Sequence, residues 1–151
     1  MKPGDPAPDF ELPDETGTTR SLKELLSSGP VVLFFYPAAM TPGCTAESCH
    51  FRDLAKEFAE VGASRVGISP DPVAKQQAFS EKHAFDFPLL SDPDGAVATQ
   101  FGVRRGFGPL LTKRQTFVID TDGTVLEVIK SELRMSVHAD KALAALRARQ
   151  P

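Results

Sequence analysis

Tryptophan is absent from the 151 residues, tyrosine occurs once and cysteine only twice. Two cysteines cannot staple a disulfide scaffold and are too few for a four-cysteine zinc site. The formal charge is -3 and no basic block interrupts the chain, which excludes the electrostatic footprint of a nucleic-acid binder. Long apolar runs are missing too. The solidly apolar stretch Val31-Val32-Leu33-Phe34-Phe35-Tyr36 falls far short of the ~20 residues that span a bilayer. The chain opens Met1-Lys2-Pro3-Gly4-Asp5-Pro6, with charge where a signal peptide needs an apolar segment. The expectation is a soluble cytoplasmic protein with no membrane contact. What is present is ordinary: 41% hydrophobic and 25% charged residues suit a globular chain. The length matches one domain of roughly 150 residues, here residues 1–151. In a compartment that keeps thiols reduced, two cysteines close in sequence point to catalysis or metal binding rather than structure.

Four of the 13 prolines fall within the first thirteen residues, so the N-terminus is expected to run extended over the surface. Asp14-Glu15-Thr16-Gly17 reads as the turn of an N-terminal hairpin. Ser21-Leu22-Lys23-Glu24 is a capping-box pattern opening a short helix that stops at Ser28-Gly29. The stretch from Val31 is apolar on both faces, as in a central strand covered on two sides. A single helix is expected over residues 42–61, then a strand over 65–69. Asp71 is placed as N-cap of a further helix, with Pro72 at its first position. A short strand at 88–90 precedes a helix opened by Asp92-Pro93 and ended by Gly102. Residues 116–120 and 124–129 form a hairpin around Thr121-Asp122-Gly123, and a last helix covers 140–149. Strands alternating with helices and finished by an antiparallel pair predict an α/β thioredoxin-like sandwich. Its mixed central sheet carries helices on both faces and is preceded by the N-terminal β-hairpin.

In such sheets ligands bind beyond the carboxyl ends of strands. Here that place is the segment from Pro37 to Cys44. Thr41 and Pro42 suit the N-cap and first position of the helix, which puts Cys44 in its first turn. Free N–H groups and the positive dipole end there favour a thiolate. On a helical wheel Phe51, Leu54, Ala55, Phe58 and Val61 share one apolar face, and Cys44 belongs to it. Glu47 also falls inward, where a carboxylate needs a cation or hydrogen-bond donors. Cys49 lies about 140° round from Cys44, and their Cα atoms are roughly 8–9 Å apart on an intact helix. A disulfide needs Cα atoms within about 6.8 Å. Either the two never pair, or the helix end unwinds when they do.

Pro37-x-x-x-Thr41-x-x-Cys44 resembles the active-site motif of the peroxiredoxins. Thr41-Pro42-Gly43-Cys44-Thr45-x-Glu47-x-Cys49-x-Phe51-Arg52-Asp53 is similar to the peroxiredoxin Q branch, also called bacterioferritin comigratory protein. The likeness extends from Gly4-Asp5-x-Ala7-Pro8-Asp9-Phe10 to Arg114-x-Thr116-Phe117-Val118-Ile119-Asp120. It implies a thiol peroxidase acting on hydrogen peroxide and organic hydroperoxides, with Cys44 peroxidatic and Cys49 resolving through an intramolecular disulfide. It also implies that Thr41 and Arg114 hold the peroxide and thiolate and that Pro37 shields the pocket; Glu47, an inward-facing acid in need of a cation, is expected to be coupled to Arg114. A thioredoxin- or glutaredoxin-like reductant would recycle the enzyme, with no cofactor and no metal. Ala38-Ala39-Met40 departs from relatives that carry polar residues there. The family contains monomers and dimers, and a monomer is expected.

Other readings compete. A thioredoxin-like disulfide exchanger uses Cys-x-x-Cys, whereas four residues separate these cysteines. A non-catalytic binding module on the same fold is the other alternative. A Cys44/Cys49/His50 metal site lacks a fourth ligand. His50, His83 and His138 are expected to be solvated. Gly102 to Gly108 has no phosphate-loop pattern, and Phe107-Gly108-Pro109-Leu110-Leu111 reads as an exposed apolar patch or a loop folded over the domain.

Overall fold

The computed structural model describes residues 1–106 and 111–149. The N-terminal hairpin pairs β1 (Glu11–Pro13) antiparallel with β2 (Thr19–Ser21). Its turn is built on Asp14, whose Oδ1 accepts the N–H groups of Thr16 and Thr18, the local chemistry that makes Asp a turn residue. Ser21 caps α1 (Leu22–Leu26) by accepting the Glu24 N–H at 3.1 Å, while the Glu24 carboxylate pairs with Arg20.

The remaining elements are β3 (Val31–Phe35), α2 (Pro42–Asp53), α3 (Ala55–Glu60), β4 (Ser64–Ser69), α4 (Val73–His83), β5 (Leu89–Ser91), α5 (Ala96–Gln100), β6 (Gln115–Ile119), β7 (Val125–Lys130) and α6 (Met135–Arg149). Five strands form one mixed sheet in the order β5-β4-β3-β6-β7. β3 runs parallel to β4, with Leu33 opposite Val66, and antiparallel to β6, with Leu33 opposite Phe117. Every residue of β3 is buried, and alternation sends its side chains to two cores. Val32 and Phe34 pack with Phe51, Phe58, Phe79 and Leu146 beneath α2, α3, α4 and α6. Val31, Leu33 and Phe35 pack with Leu22, Leu25 and Phe101 beneath α1 and α5. Helices therefore cover both faces of a mixed sheet, as the alternation of elements predicts.

Two helix boundaries differ from the expectation. The helix expected over 42–61 is two helices meeting at Leu54 (φ -98°, ψ 21°). Arg65, reaching across from β4, donates Nη1–H to the Phe51 carbonyl at 2.8 Å. That carbonyl is the one an uninterrupted ladder would offer to Ala55, and a side chain inserted there breaks a helix. A bidentate pair with Asp86 (2.9 and 2.6 Å) holds the guanidinium in place, over the Phe87 ring. The last helix starts at Met135 rather than at residue 140. Its buried face of His138, Ala139, Ala142, Leu143 and Leu146 begins with a polar residue, which hid the apolar stripe. The patch expected at 107–111 lies, apart from Leu111, outside the described residues. Among the described residues no helix is long and apolar enough to cross a membrane.

Asp71 does not cap α4, whose N-cap position is taken by Pro72. Its carboxylate instead crosses to the loop after β3, where Oδ2 accepts the Ala39 N–H at 2.6 Å and the Ser69 hydroxyl at 2.7 Å. This buried bond ties the loop to the end of β4. Replacing Asp71 by Ala leaves the Ala39 N–H buried without an acceptor, an expected loss of about 1–3 kcal/mol in urea unfolding. A loss below about 0.5 kcal/mol, the scale of an ordinary surface substitution, would show that the contact is not structural.

Candidate active site

The site begins where β3 ends. Tyr36 stays in the sheet, its N–H bonded to the Ile68 carbonyl and its hydroxyl to Gln76. The half-buried Pro37 then leads the chain out of the sheet. Asp71 fixes Ala39, and Met40 turns the backbone through the left-handed region at φ 70°, a conformation that costs a non-glycine residue energy and persists only where its surroundings impose it. Thr41 has the extended backbone of an N-cap, with Pro42 at the first helical position. Its side chain makes no cap bond: the hydroxyl donates to the Ala38 carbonyl at 2.7 Å. Thr41 thus closes the loop on itself and leaves the first-turn N–H groups of α2 without a side-chain cap. Those groups favour negative charge at the end of the helix, and Cys44 sits there, fully buried and as a free thiol.

Arg114 immediately precedes β6, and its N–H is held by the Glu132 carboxylate at 3.1 Å. The guanidinium is buried and forked. Nη2 donates to Cys44 Sγ at 3.2 Å and Nη1 to Glu47 Oε1 at 2.9 Å. A planar fork can serve two acceptors at fixed angles in this way, which an ammonium cannot. Gly43 eases the approach: a Cβ there would stand 3.3 Å from Arg114 Nη2 and 3.2 Å from Met135 Cε, so both side chains would have to give by a few tenths of an ångström. Glu47 is fully buried, and its second oxygen, Oε2, has no hydrogen-bond partner among the described residues. Burial pushes its carboxyl up to about 8, against the opposing pull of Arg114. Glu47 is therefore mostly protonated near neutral pH, which leaves the Arg114 charge largely to the sulfur.

Cys49 shares α2 with Cys44, is partly buried and is also a free thiol. The helix is continuous through both, so the two sulfurs stand unbonded on one rigid element. The structure therefore brings Cys44, Glu47 and Arg114 into contact, sets Thr41 and Pro37 in the loop before them, and keeps Cys49 apart. His50 and His83 are partly exposed; His138 is not. Contrary to expectation it is fully buried, with Nδ1 2.8 Å from Thr116 Oγ1 and Nε2 2.8 Å from the Ser131 carbonyl. Sequence reasoning missed it because the N-terminus of α6 was set too late. The spacing of His138 to Ala142 and Leu146, four residues at a time, was the signal that could have found it.

The raised carboxyl has a thermodynamic signature. Between its ordinary value of 4.5 and about 8, folded Glu47 holds a proton that the unfolded chain has released. Its contribution is fully present below the lower value and is lost as pH rises to the upper one. Relative to Glu47→Gln, which does not titrate, the unfolding free energy of the natural protein should fall from pH 5 to pH 8 and then level, as read by urea titrations. A difference that stays flat across that interval would contradict a buried, protonated Glu47.

Comparison with known proteins agrees with the geometry. Residues 3–128 match the AhpC/TSA family. A peroxiredoxin of Mycobacterium tuberculosis is 71% identical over 150 residues, covering 98% of this chain and 97% of that protein. A chloroplastic peroxiredoxin Q of Populus jackii is 38% identical over 143 residues, covering 95% of this chain and 67% of its own length. Among solved structures, peroxidoxin BcpB from M. tuberculosis superposes with a TM-score of 0.96 at 70% identity, covering 100% of this chain and 99% of that one. Peroxiredoxin Q from Xanthomonas campestris gives 0.85 at 35% identity, covering 93% and 90%. With that fold, the Pro37-to-Cys44 motif and the Arg114 contact in one molecule, the chain belongs to the AhpC/TSA family and is a peroxiredoxin of the Q type.

Proposed function

We propose that the protein is an atypical two-cysteine peroxidase, with Cys44 peroxidatic and Cys49 resolving. The observation that carries this reading is the Arg114 fork on Cys44 Sγ and Glu47. The Cys44 thiolate attacks one oxygen of hydrogen peroxide or an organic hydroperoxide. The O–O bond breaks, and the leaving oxygen takes a proton and departs as water or alcohol. Charge passes from sulfur to that oxygen, and a fixed guanidinium lying against the sulfur stabilises the transition state without reorganising. The first-turn N–H groups are the other donors at the same helix end. The Thr41 hydroxyl, whose hydrogen goes to the Ala38 carbonyl, offers its oxygen as an acceptor for the peroxide O–H, and Pro37 walls the pocket. Cys49 then attacks the Cys44 sulfenic acid, water leaves, and a disulfide forms. A dithiol of the thioredoxin or glutaredoxin type reduces it by exchange. No cofactor enters any step.

Stopped-flow mixing of the reduced protein with peroxide tests the assignment. Cys44→Ser is expected to abolish turnover, and Cys49→Ser to keep the first turnover and lose recycling. Arg114→Lys should slow the first turnover about tenfold or more, equivalent to ~1.4 kcal/mol. A first turnover unchanged by Cys44→Ser would overturn the peroxidatic role and return the chain to the disulfide-exchange or binding-module classes.

Disulfide formation also makes a structural demand. The Cα atoms of residues 44 and 49 must approach by about 2 Å or more, which an intact α-helix forbids. The start of α2 should therefore unwind on oxidation, while Phe51, stacked on Phe34 at 4.3 Å, stays docked. Amide exchange over residues 43–50 should be markedly faster in the oxidised protein. Equal protection in both forms, with the disulfide verified by mass, would sink this step.

A further inference from the structure

We infer that His138 is a positioning residue of the peroxidase site: it orients the Glu47 carboxyl, and through it the Arg114 guanidinium that faces Cys44. The inference rests on the reading of Cys44 and Arg114 given above. Its starting point is a buried oxygen. Glu47 Oε1 is taken by Arg114, but Oε2 has no hydrogen-bond partner among the described residues, and His138 Nε2 stands 3.5 Å from it. Such an oxygen is costly unless a positive group lies beside it.

The hydrogen bonds of His138 decide which edge of the ring it turns to that oxygen. A backbone carbonyl only accepts, so the 2.8 Å contact with Ser131 O puts a hydrogen on Nε2. Nδ1 must then accept, and the Thr116 hydroxyl donates to it at 2.8 Å. Burial holds the imidazole below its ordinary pKa, so the ring is neutral and this tautomer is its working form. The Nε2–H edge, bonded to Ser131 O, therefore also lies beside Glu47 Oε2 without a hydrogen bond of its own, and it favours that oxygen as the carbonyl of the protonated carboxyl, with the proton on Oε1. Glu47 faces the ring from α2, Arg114 from the start of β6, and Glu132 approaches from the connection between β7 and α6. Thr116 lies two residues beyond Arg114, on the same face of the strand. The ring thus connects all three walls of the site: α6 carries it, β6 fixes its tautomer, and α2 receives its positive edge. With that edge removed, the carboxyl is free to rotate, and the Nη1–Oε1 bond that aims Nη2 at the sulfur loosens.

Two substitutions separate the roles of the ring nitrogens. Gln places an amide N–H where Nε2 lies, whereas Asn reaches only the Nδ1 position. In a Cys49→Ser background, His138→Asn should slow the first turnover about fivefold to tenfold, the effect of one lost buried donor, while His138→Gln recovers most of the rate. The rate of Cys44 alkylation by iodoacetamide, which involves no peroxide, should fall by a similar factor. Combined with Glu47→Gln, His138→Asn should add little, because the two act through one contact. Should His138→Asn fail to fold, Thr116→Val tests the same ring from its other nitrogen and should lower both rates. Unchanged rates in a folded His138→Asn or Thr116→Val protein would overturn the inference. So would a His138→Asn loss of equal size in the Glu47→Gln background, which would assign the effect to Ser131. A natural protein that does not consume peroxide at all would instead reject the proposed function, and the alkylation rates would still decide the role of His138.

Discussion

The Arg114 guanidinium lies inside the protein with two acidic groups in front of it, and the arrangement of the site follows from how that one charge is divided. A buried cation cannot neutralise two full anions at once. Burial settles the division by keeping a proton on Glu47, so the carboxyl acts as an acceptor that holds the fork while the charge is directed at Cys44. Other features of the site serve this geometry. Gly43 supplies the space for Nη2, Glu132 fixes the backbone of Arg114, and the loop pinned by Asp71 delivers the start of α2 to the same point.

A second arginine holds the other end of the same helix. Arg114 reaches α2 from β6, and Arg65 reaches it from β4, the two strands that flank β3. The helix therefore lies over the central strand with an arginine at each end and the Phe34–Phe51 stack between them. This is why the apolar run from Val31 matters to the chemistry. It is the floor on which the reactive turn is positioned, and its burial supplies stability that a strained loop and a buried charge pair would otherwise erode.

Much of this was legible in the residues. Periodicity and turn chemistry gave the order of elements, and the Thr41-Pro42 pair located the helix start that carries Cys44. Glu47 betrayed itself by falling on an apolar face. What stayed hidden was the use of polar side chains at long range. Asp71 and Thr41 both read as helix caps, because local capping is the commonest use of those residues at such positions, yet each spends its oxygen on the loop before Cys44. The break at Leu54 depends on an arginine from another strand, and no local pattern announces it. His138 was lost for a related reason: a histidine at the head of a buried stripe looks like the end of the stripe.

The break that Arg65 makes also bears on cooperativity. A helix is stabilised as a unit because each turn templates the next, and fraying that begins at one end can run the full length. Here the ladder is interrupted at the Phe51 carbonyl, so α2 and α3 are separate cooperative segments joined by a fixed corner. The unwinding proposed for the turns around Cys44 would stop at that corner and leave the core beneath α3 undisturbed. Opening of the turns around Cys44 would thus be confined to a small unit of its own, with a boundary set by one side chain rather than by the length of the helix.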